Sequence, residues 1–505
     1  MKILKFILFA LFIGLLLSCA KKEKDSIPES QVLARMGDRV ITKNDFIQRA
    51  EYTIRPPYCK NDNYVHKKIV LNSLIAEKLF AMEGDSSELA QNEKFRHFVQ
   101  GRQEQAMRQV FFQRHMYDPV ELDENELEKV YDKAGREYDI EFVSVDNEQL
   151  NDAIEQQVHG QGNSLPNAVR GITGSDSLVM PSRKVTFNPN EIPPVMHALY
   201  ENEVSKGQTI GPLLVGNQGL WIYVKGWTEK VAVASQDLQN RSKDVRQYLN
   251  YKYAFKKYEK YVRKLMKGKQ VNFNRDTFIA LVNTLGPVYF PNQSEKEKEI
   301  SKGMFGKTPE PSLADSVSMK LGAMEDQPLL TIDGQIWTIR DLDRELMLHP
   351  LQFRQKKFPQ NQFGEQLKLA IVDLIKDKYI TQDAYDEGLD EHPAVKLQRD
   401  MWRDAYLASY HRSELLNSMG VEGDFGNEYL SILENHLNPV VDSLQQKYAD
   451  VIEINTDLFE DIRLTRIDMF AMYNDQPYAV VVPQFPVLTT DTRLDYGKKL
   501  EISKK

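Results

Sequence analysis

A chain of 505 residues is long for a single core, so two or more domains are expected. Its net charge of -8 argues against nucleic acid as a partner, because phosphate neutralisation needs clustered Lys and Arg. Hydrophobic residues make up 41%, enough for packed cores, and no apolar run after the first twenty residues is long enough to cross a bilayer.

Lys2 and Lys5 precede an apolar run from Phe6 to Leu17, which ends in Leu16-Leu17-Ser18-Cys19. A charged start, a short apolar middle and a small residue before the break are the parts of a secretory signal peptide, here residues 1–18. The run is too short to span a membrane, which takes roughly 20 residues. Its ending resembles a bacterial lipobox, which implies that Cys19 becomes the N-terminus and carries acyl chains. Each buried methylene then contributes on the order of 0.8 kcal/mol to membrane attachment. The expected product is an envelope lipoprotein on the periplasmic face, with the outer membrane favoured over the inner. An ordinary secreted protein cut nearby, or an uncleaved anchor, is the alternative. Residues 19–31 are charged without apolar pattern and read as a flexible tether. With Cys19 acylated, Cys59 has no partner for an intramolecular disulfide; it sits in Arg55-Pro56-Pro57-Tyr58-Cys59, which reads as a loop.

The body of the chain contains a repeat. Gly37-Asp38-Arg39-Val40-Ile41-Thr42-Lys43-Asn44-Asp45-Phe46 is echoed by Asp333-Gly334-Gln335-Ile336-Trp337-Thr338-Ile339-Arg340-Asp341-Leu342. Each copy reads as a hairpin-like turn followed by Thr as a helix N-cap, with Asp three residues on favouring the positive helix end. Leu71, Leu74, Ile75, Leu79 and Met82 of the next helix recur as Ile371, Leu374, Ile375, Tyr379 and Gln382. Another helical stretch follows each time, around 94–118 and 394–415. Val271-Asn272-Phe273-Asn274-Arg275-Asp276 is then echoed by Ile452-Glu453-Ile454-Asn455-Thr456-Asp457. Three echoes in one order predict two tandem helical modules. The first spans 32–135 and is completed by a returning helix over 229–286; the second spans 325–459. Residues 287–324 read as a linker, and 460–505 have no assignment.

Residues 136–228 have a different texture. Tyr138 to Val145 alternates like a strand, a helical stretch follows around 148–158, and then comes a Gly/Ser-rich loop. A strand at 184–187, a short helix near 194–204 and a final strand at 219–225 complete a small α+β domain inserted into the helical one. The returning helix carries Tyr248, Tyr251, Phe255, Tyr258, Val262 and Leu265 in one apolar stripe. The predicted fold is therefore multidomain and mainly α, with one inserted α+β domain.

These residues resemble the parvulin-type prolyl isomerase and chaperone family of bacterial envelopes, the SurA and PrsA relatives. The Gly-Asp-x-Val-Ile-Thr-x-x-Asp-Phe opening and Leu74-Ile75-Ala76-Glu77-Lys78-Leu79 resemble that family's N-terminal chaperone module. Ile192-Pro193-Pro194, Ala198, Gly207-Gln208-Thr209-Ile210-Gly211-Pro212 and Gly219-Leu220-Trp221-Ile222-Tyr223-Val224 follow the order of helix, Gly turn, Pro and final strand in a parvulin domain. The resemblance covers 32–285 and, as a shorter copy, 325–459. It implies a proline or peptide pocket of Phe142, Ile192, Met196, Tyr200 and Trp221. Active members carry histidines where Phe142 and Trp221 stand, and a Cys or Asp besides. Catalysis must lower an amide barrier of about 18–20 kcal/mol with polar groups that favour the twisted state. A pocket without those groups is expected to bind apolar segments and turn over poorly, so no catalytic residue is assigned.

Other chemistries lack their residues. No two histidines stand at i, i+3 or i+4, so no metal site is expected. Gly306-Lys307-Thr308 hints at a nucleotide loop, but Ser301 occupies the first glycine position and no strand leads in. No Gly-x-Ser-x-Gly elbow occurs. The expected function is a membrane-tethered chaperone that uses neither cofactor nor nucleotide and whose partners are unfolded secreted or outer-membrane polypeptides. The alternatives are an active prolyl isomerase with a divergent site, and an assembly lipoprotein for one folded envelope partner.

Overall fold

The computed structural model of the chain describes residues 27–290, 321–464 and 477–500, apart from 176, 189–190, 217, 232–233, 356–357 and 422–424. Cys19, the signal peptide and most of the expected linker lie outside the described residues. The strands are β1 (Val32–Met36), β2 (Arg39–Thr42), β3 (Arg136–Val145), β4 (Ser182–Thr186), β5 (Thr209–Val215) and β6 (Gln218–Glu229). They continue with β7 (Asn272–Phe273), β8 (Pro328–Ile332), β9 (Gln335–Thr338), β10 (Ile452–Ile454) and β11 (Lys498–Lys499). Helices dominate the rest, giving a mainly helical fold with small sheets. Two compact units result: one is Phe112–Tyr261, and the other gathers 27–111, 262–464 and 478–500.

In the larger unit the two hairpins are built alike. Thr42 caps the Lys43–Glu51 helix, its hydroxyl accepting from the Asp45 amide while the Asp45 carboxylate accepts from the Thr42 amide. Thr338 and Asp341 make the same reciprocal pair at the start of Ile339–Leu348. Each box satisfies two amides that the first helical turn leaves without partners. The helices Tyr64–Gly84 and Phe363–Asp386 follow, with Leu71, Leu74 and Ile75 buried in one and Ile371, Leu374 and Ile375 in the other.

The closing strands differ from the tandem expectation: they are exchanged. β10 pairs antiparallel with β1 of the first hairpin, and β7 pairs antiparallel with β8 of the second. The registers are equivalent, Ala34 facing Ile454 and Leu330 facing Phe273. The Asn455 amide donates to Leu33 O at 2.9 Å, as the Asn274 amide donates to Leu329 O at 2.8 Å. Each Asn then caps a helix, Thr456–Asp461 or Arg275–Tyr289. Two or three residues with one register cannot tell the hairpins apart, so the attached helices decide. Leu281 and Leu285 pack with Leu329, Leu330 and Trp337, whereas Phe459 and Ile462 pack with Leu33, Met36 and Phe46. Residues 271–286 thus complete the second hairpin, and 452–462 complete the first.

The Glu93–Phe112 helix also joins the second copy. At Gly101 an added Cβ would sit 1.7 Å from the Leu348 carbonyl oxygen, so only glycine allows the approach. Glu104, buried beside it, accepts from Gln100 and from the Tyr385 hydroxyl and pairs with His349 Nε2 at 2.6 Å.

The smaller unit holds an antiparallel sheet in the order β4-β3-β6-β5. One face, with Tyr138, Ile140, Ile222 and Val224, packs on the helical stretch Pro193–Met196, which continues to Glu201. The other, with Val145 and Trp221, packs on Glu148–Glu155 and Leu165–Thr173. The second of those helices and β5 stand where the sequence reads as a loop and a turn. Leu127 and Val130 of Glu124–Lys133 meet Val245 and Leu249 of the long Ser235–Leu265 helix.

Candidate functional site

The five residues of the expected pocket do not form one pocket. β3 and β6 pair so that Phe142 faces Ile222 and Val143 faces Trp221. Neighbouring strand residues point to opposite faces, so Phe142 and Trp221 lie on opposite sides of the sheet. Trp221 is fully buried among the helices of 148–173 and donates from Nε1 to Asn151 Oδ1 at 2.8 Å. Met196 and Tyr200 are fully buried on the Phe142 side, and the Tyr200 hydroxyl makes two 3.0 Å contacts, to the Arg136 and Val185 carbonyls. They are core residues and present no binding surface.

Phe142 and Ile192 stay half-buried at the rim of that core. The charges beside them are already matched. Arg183 grips Glu191 through two bonds of 2.5 and 2.9 Å and lies over the Phe142 ring at 6.0 Å. Burial alone pushes the Glu191 carboxyl up, but the Arg183 bonds and the Ile192 amide outweigh it and hold it below the usual range. His159 stacks on Trp221 across the sheet, away from Phe142. The rim thus combines the half-buried apolar surface of Phe142 and Ile192 with one ion pair, Arg183 and Glu191, whose members are bonded to each other.

Polar groups concentrate instead where this domain meets its own helices. Glu201 accepts from the Tyr248 hydroxyl and Lys252, and lies 3.0 Å from His197 Nδ1. Lys252 also donates to Glu126. Burial acts against both charges, but their mutual bonds prevail, lowering Glu201 and raising Lys252. With both sides satisfied, this cluster is a rivet between the Glu124–Lys133, 193–201 and Ser235–Leu265 helices.

The larger unit has a charged cleft of about 720 Å³ lined by Arg39, Lys78, Asp85, Arg399, Arg403 and Asp404 among others. Asp404 is nearly fully buried and receives Arg39 at 3.1 Å and Lys78 at 2.9 Å. Asp85 binds Arg39 and Arg403 at 2.7 and 2.8 Å. The cations are paired with carboxylates, so the cleft fastens the first hairpin to the Pro393–Ser418 helix.

The same unit holds a feature that sequence reasoning left unassigned. Residues 479–495 carry neither helix nor strand, yet Phe485, Val487, Leu488 and Thr489 are buried. The first three enter the core that contains Leu71, Leu74 and Ile75. The segment ends in β11, which pairs parallel to β10. Just before it, Gly497 has φ of +79° and passes so close that a Cβ would lie 2.7 Å from Ile452 O. The short apolar run from Phe485 to Leu488 was the one signal available in the sequence.

Comparison with family models, with curated proteins and with solved structures finds no match for this chain. Among the described residues no helix is long and apolar enough to cross a membrane, and no group of His, Cys, Asp or Glu is placed to hold a metal.

Proposed function

We propose that this protein is a lipid-anchored envelope chaperone of the SurA and PrsA type, which holds unfolded secreted or outer-membrane polypeptides without turning over prolyl bonds. The observation that carries this reading is the pair of equivalently built hairpin-and-helix modules; in the sheet domain beside them in sequence, Trp221 is buried and Phe142 half-buried where the resemblance would call for histidines. The helix at 193–201, the turn at Gly207, Pro212 and the last strand come in the order that the resemblance implies, which supports a parvulin-like origin for that domain. Isolated apolar side chains such as Ile54, Val65 and Leu214 are exposed and can add weak contacts to a long client. Acyl chains on Cys19 would keep it on the periplasmic face, at the outer membrane.

Light scattering tests the reading. Added without nucleotide to an outer-membrane protein diluted from urea, the chain should suppress aggregation at near-equimolar amounts. Scattering unchanged by the chain would count against it.

A further inference from the structure

The segment that closes the first module is held at several points through its main chain, besides side-chain bonds from Tyr478 to Asp377, from Arg493 to Asp442 and between Asn438 and Thr490. Gln109 Nε2 donates to Ala479 O and Arg49 Nη2 to Gln484 O, both at 2.8 Å. Arg412 Nη1 reaches Val487 O at 3.4 Å. Asn72 Nδ2 donates to Asp491 O at 2.8 Å and Arg493 O at 2.7 Å, while Asn72 Oδ1 accepts from the Tyr496 hydroxyl. Asn438 Oδ1 accepts from the Thr490 amide at 3.1 Å. Carbonyls and amides of this kind belong to every polypeptide, whatever its sequence. Apolar residues are read only by size and burial, at Phe485, Val487 and Leu488.

The groove is also unsuited to standing empty. With the segment in place Asn72 has no exposed surface and Arg49 is 1% exposed; without it Arg49 keeps both bonds to Glu77, whereas Asn72 Nδ2 loses both of its carbonyl partners. In an emptied groove that amide would turn to water, and the carbonyls of another chain can take the same place. We propose that this groove is a polypeptide-binding channel whose resident is the chain's own strap, residues 478–496, and that an unfolded client segment with clustered apolar residues exchanges with it. The proposal rests on the chaperone reading and gives it a site. A tethered resident has a high effective concentration, so clients bind weakly and leave readily.

Asn438 and Thr489 are in contact, the Thr489 hydroxyl donating to Asn438 Oδ1 at 2.8 Å, so cysteines at these positions are the lock to try, its closure checked by loss of free thiol. The experiment uses the full chain carrying Asn438→Cys and Thr489→Cys in a Cys19→Ser, Cys59→Ala background, so that no other thiol competes. Its probes are a labelled peptide of residues 478–496 and an outer-membrane protein unfolded in urea and diluted. Reduced, the chain should bind both; oxidised, each affinity should fall by about tenfold or more, equivalent to about 1.4 kcal/mol. Equal affinity for the unfolded protein in both states overturns the channel and leaves the chaperone reading standing. No affinity in either state overturns both. In the otherwise unmodified chain, Leu488→Ala loosens the strap and should raise peptide affinity by about tenfold. A Leu488→Ala chain with unchanged circular dichroism and no gain in peptide binding also overturns the channel.

Discussion

Replacing Asp404 by alanine tests the clamp between the first hairpin and a helix that follows it by more than three hundred residues. The Asp404 side chain is 3% exposed and its partner Lys78 is 7% exposed. Arg39 keeps Asp85 at 2.7 Å and Asp38 at 3.5 Å when Asp404 is gone, so Lys78 is the charge left stranded. Breaking one side of a buried pair costs about 3–5 kcal/mol, because the remaining ion keeps its desolvation penalty. Removing both sides is far milder, and the expected coupling between Asp404→Leu and Lys78→Met is about 2 kcal/mol or more. Hydrogen exchange reads this locally. Amides of Tyr64–Gly84 and Pro393–Ser418 should exchange roughly a hundredfold to several thousandfold faster in Asp404→Ala, with protection largely restored in the double variant. Exchange within threefold of wild type in Asp404→Ala would refute the reasoning, since a buried unpaired ammonium cannot be that cheap.

Two further expectations concern the core of the sheet domain and the response to acid. Trp221→Phe removes the bond to Asn151 and should cost about 1–2 kcal/mol in thermal unfolding, while isomerisation of a proline peptide stays at its uncatalysed tens to hundreds of seconds. Burial pushes Glu104 up, but bonds from His349, Gln100 and Tyr385 prevail and hold it below its ordinary 4.5. Because the folded value is the lower one, this stabilisation is complete above about pH 4.5 and is lost as pH falls through the depressed folded value. Melting temperature measured against pH should show that loss in the wild type, and Glu104→Gln should flatten it.

The parts of the fold legible in the sequence are those written in short-range chemistry. Thr42 with Asp45, and Thr338 with Asp341, announce helix starts because both partners of the capping box lie within one turn. Tyr138 to Val145 reads as a strand because its alternation is local. The partners of β7 and β10 were not legible, since either strand fits either hairpin in the same register and only distant helix packing chooses between them. β5 reads as a turn because it contains Gly211 and Pro212, which an edge strand accommodates. Leu165–Thr173 was hidden by its flanking Gly and Ser, although Leu165, Ala168 and Val169 carry helical spacing. In the candidate site, the apolar character of Phe142 and Ile192 came through. The position of Trp221 did not: strand parity puts it on the far face once Phe142 is opposite Ile222, and that register is set by the whole sheet. The strap has no periodicity, and its one signal, the short apolar run from Phe485 to Leu488, does not say what it packs against.

Binding to an unfolded chain bears most directly on the function. The chain starting at Ala20 should be titrated into one outer-membrane protein, first held unfolded in dilute urea and then folded in detergent micelles. The account predicts micromolar, reversible binding to the unfolded form and none to the folded form. Binding to the folded form alone would contradict it and identify the protein as an assembly factor for a fixed partner.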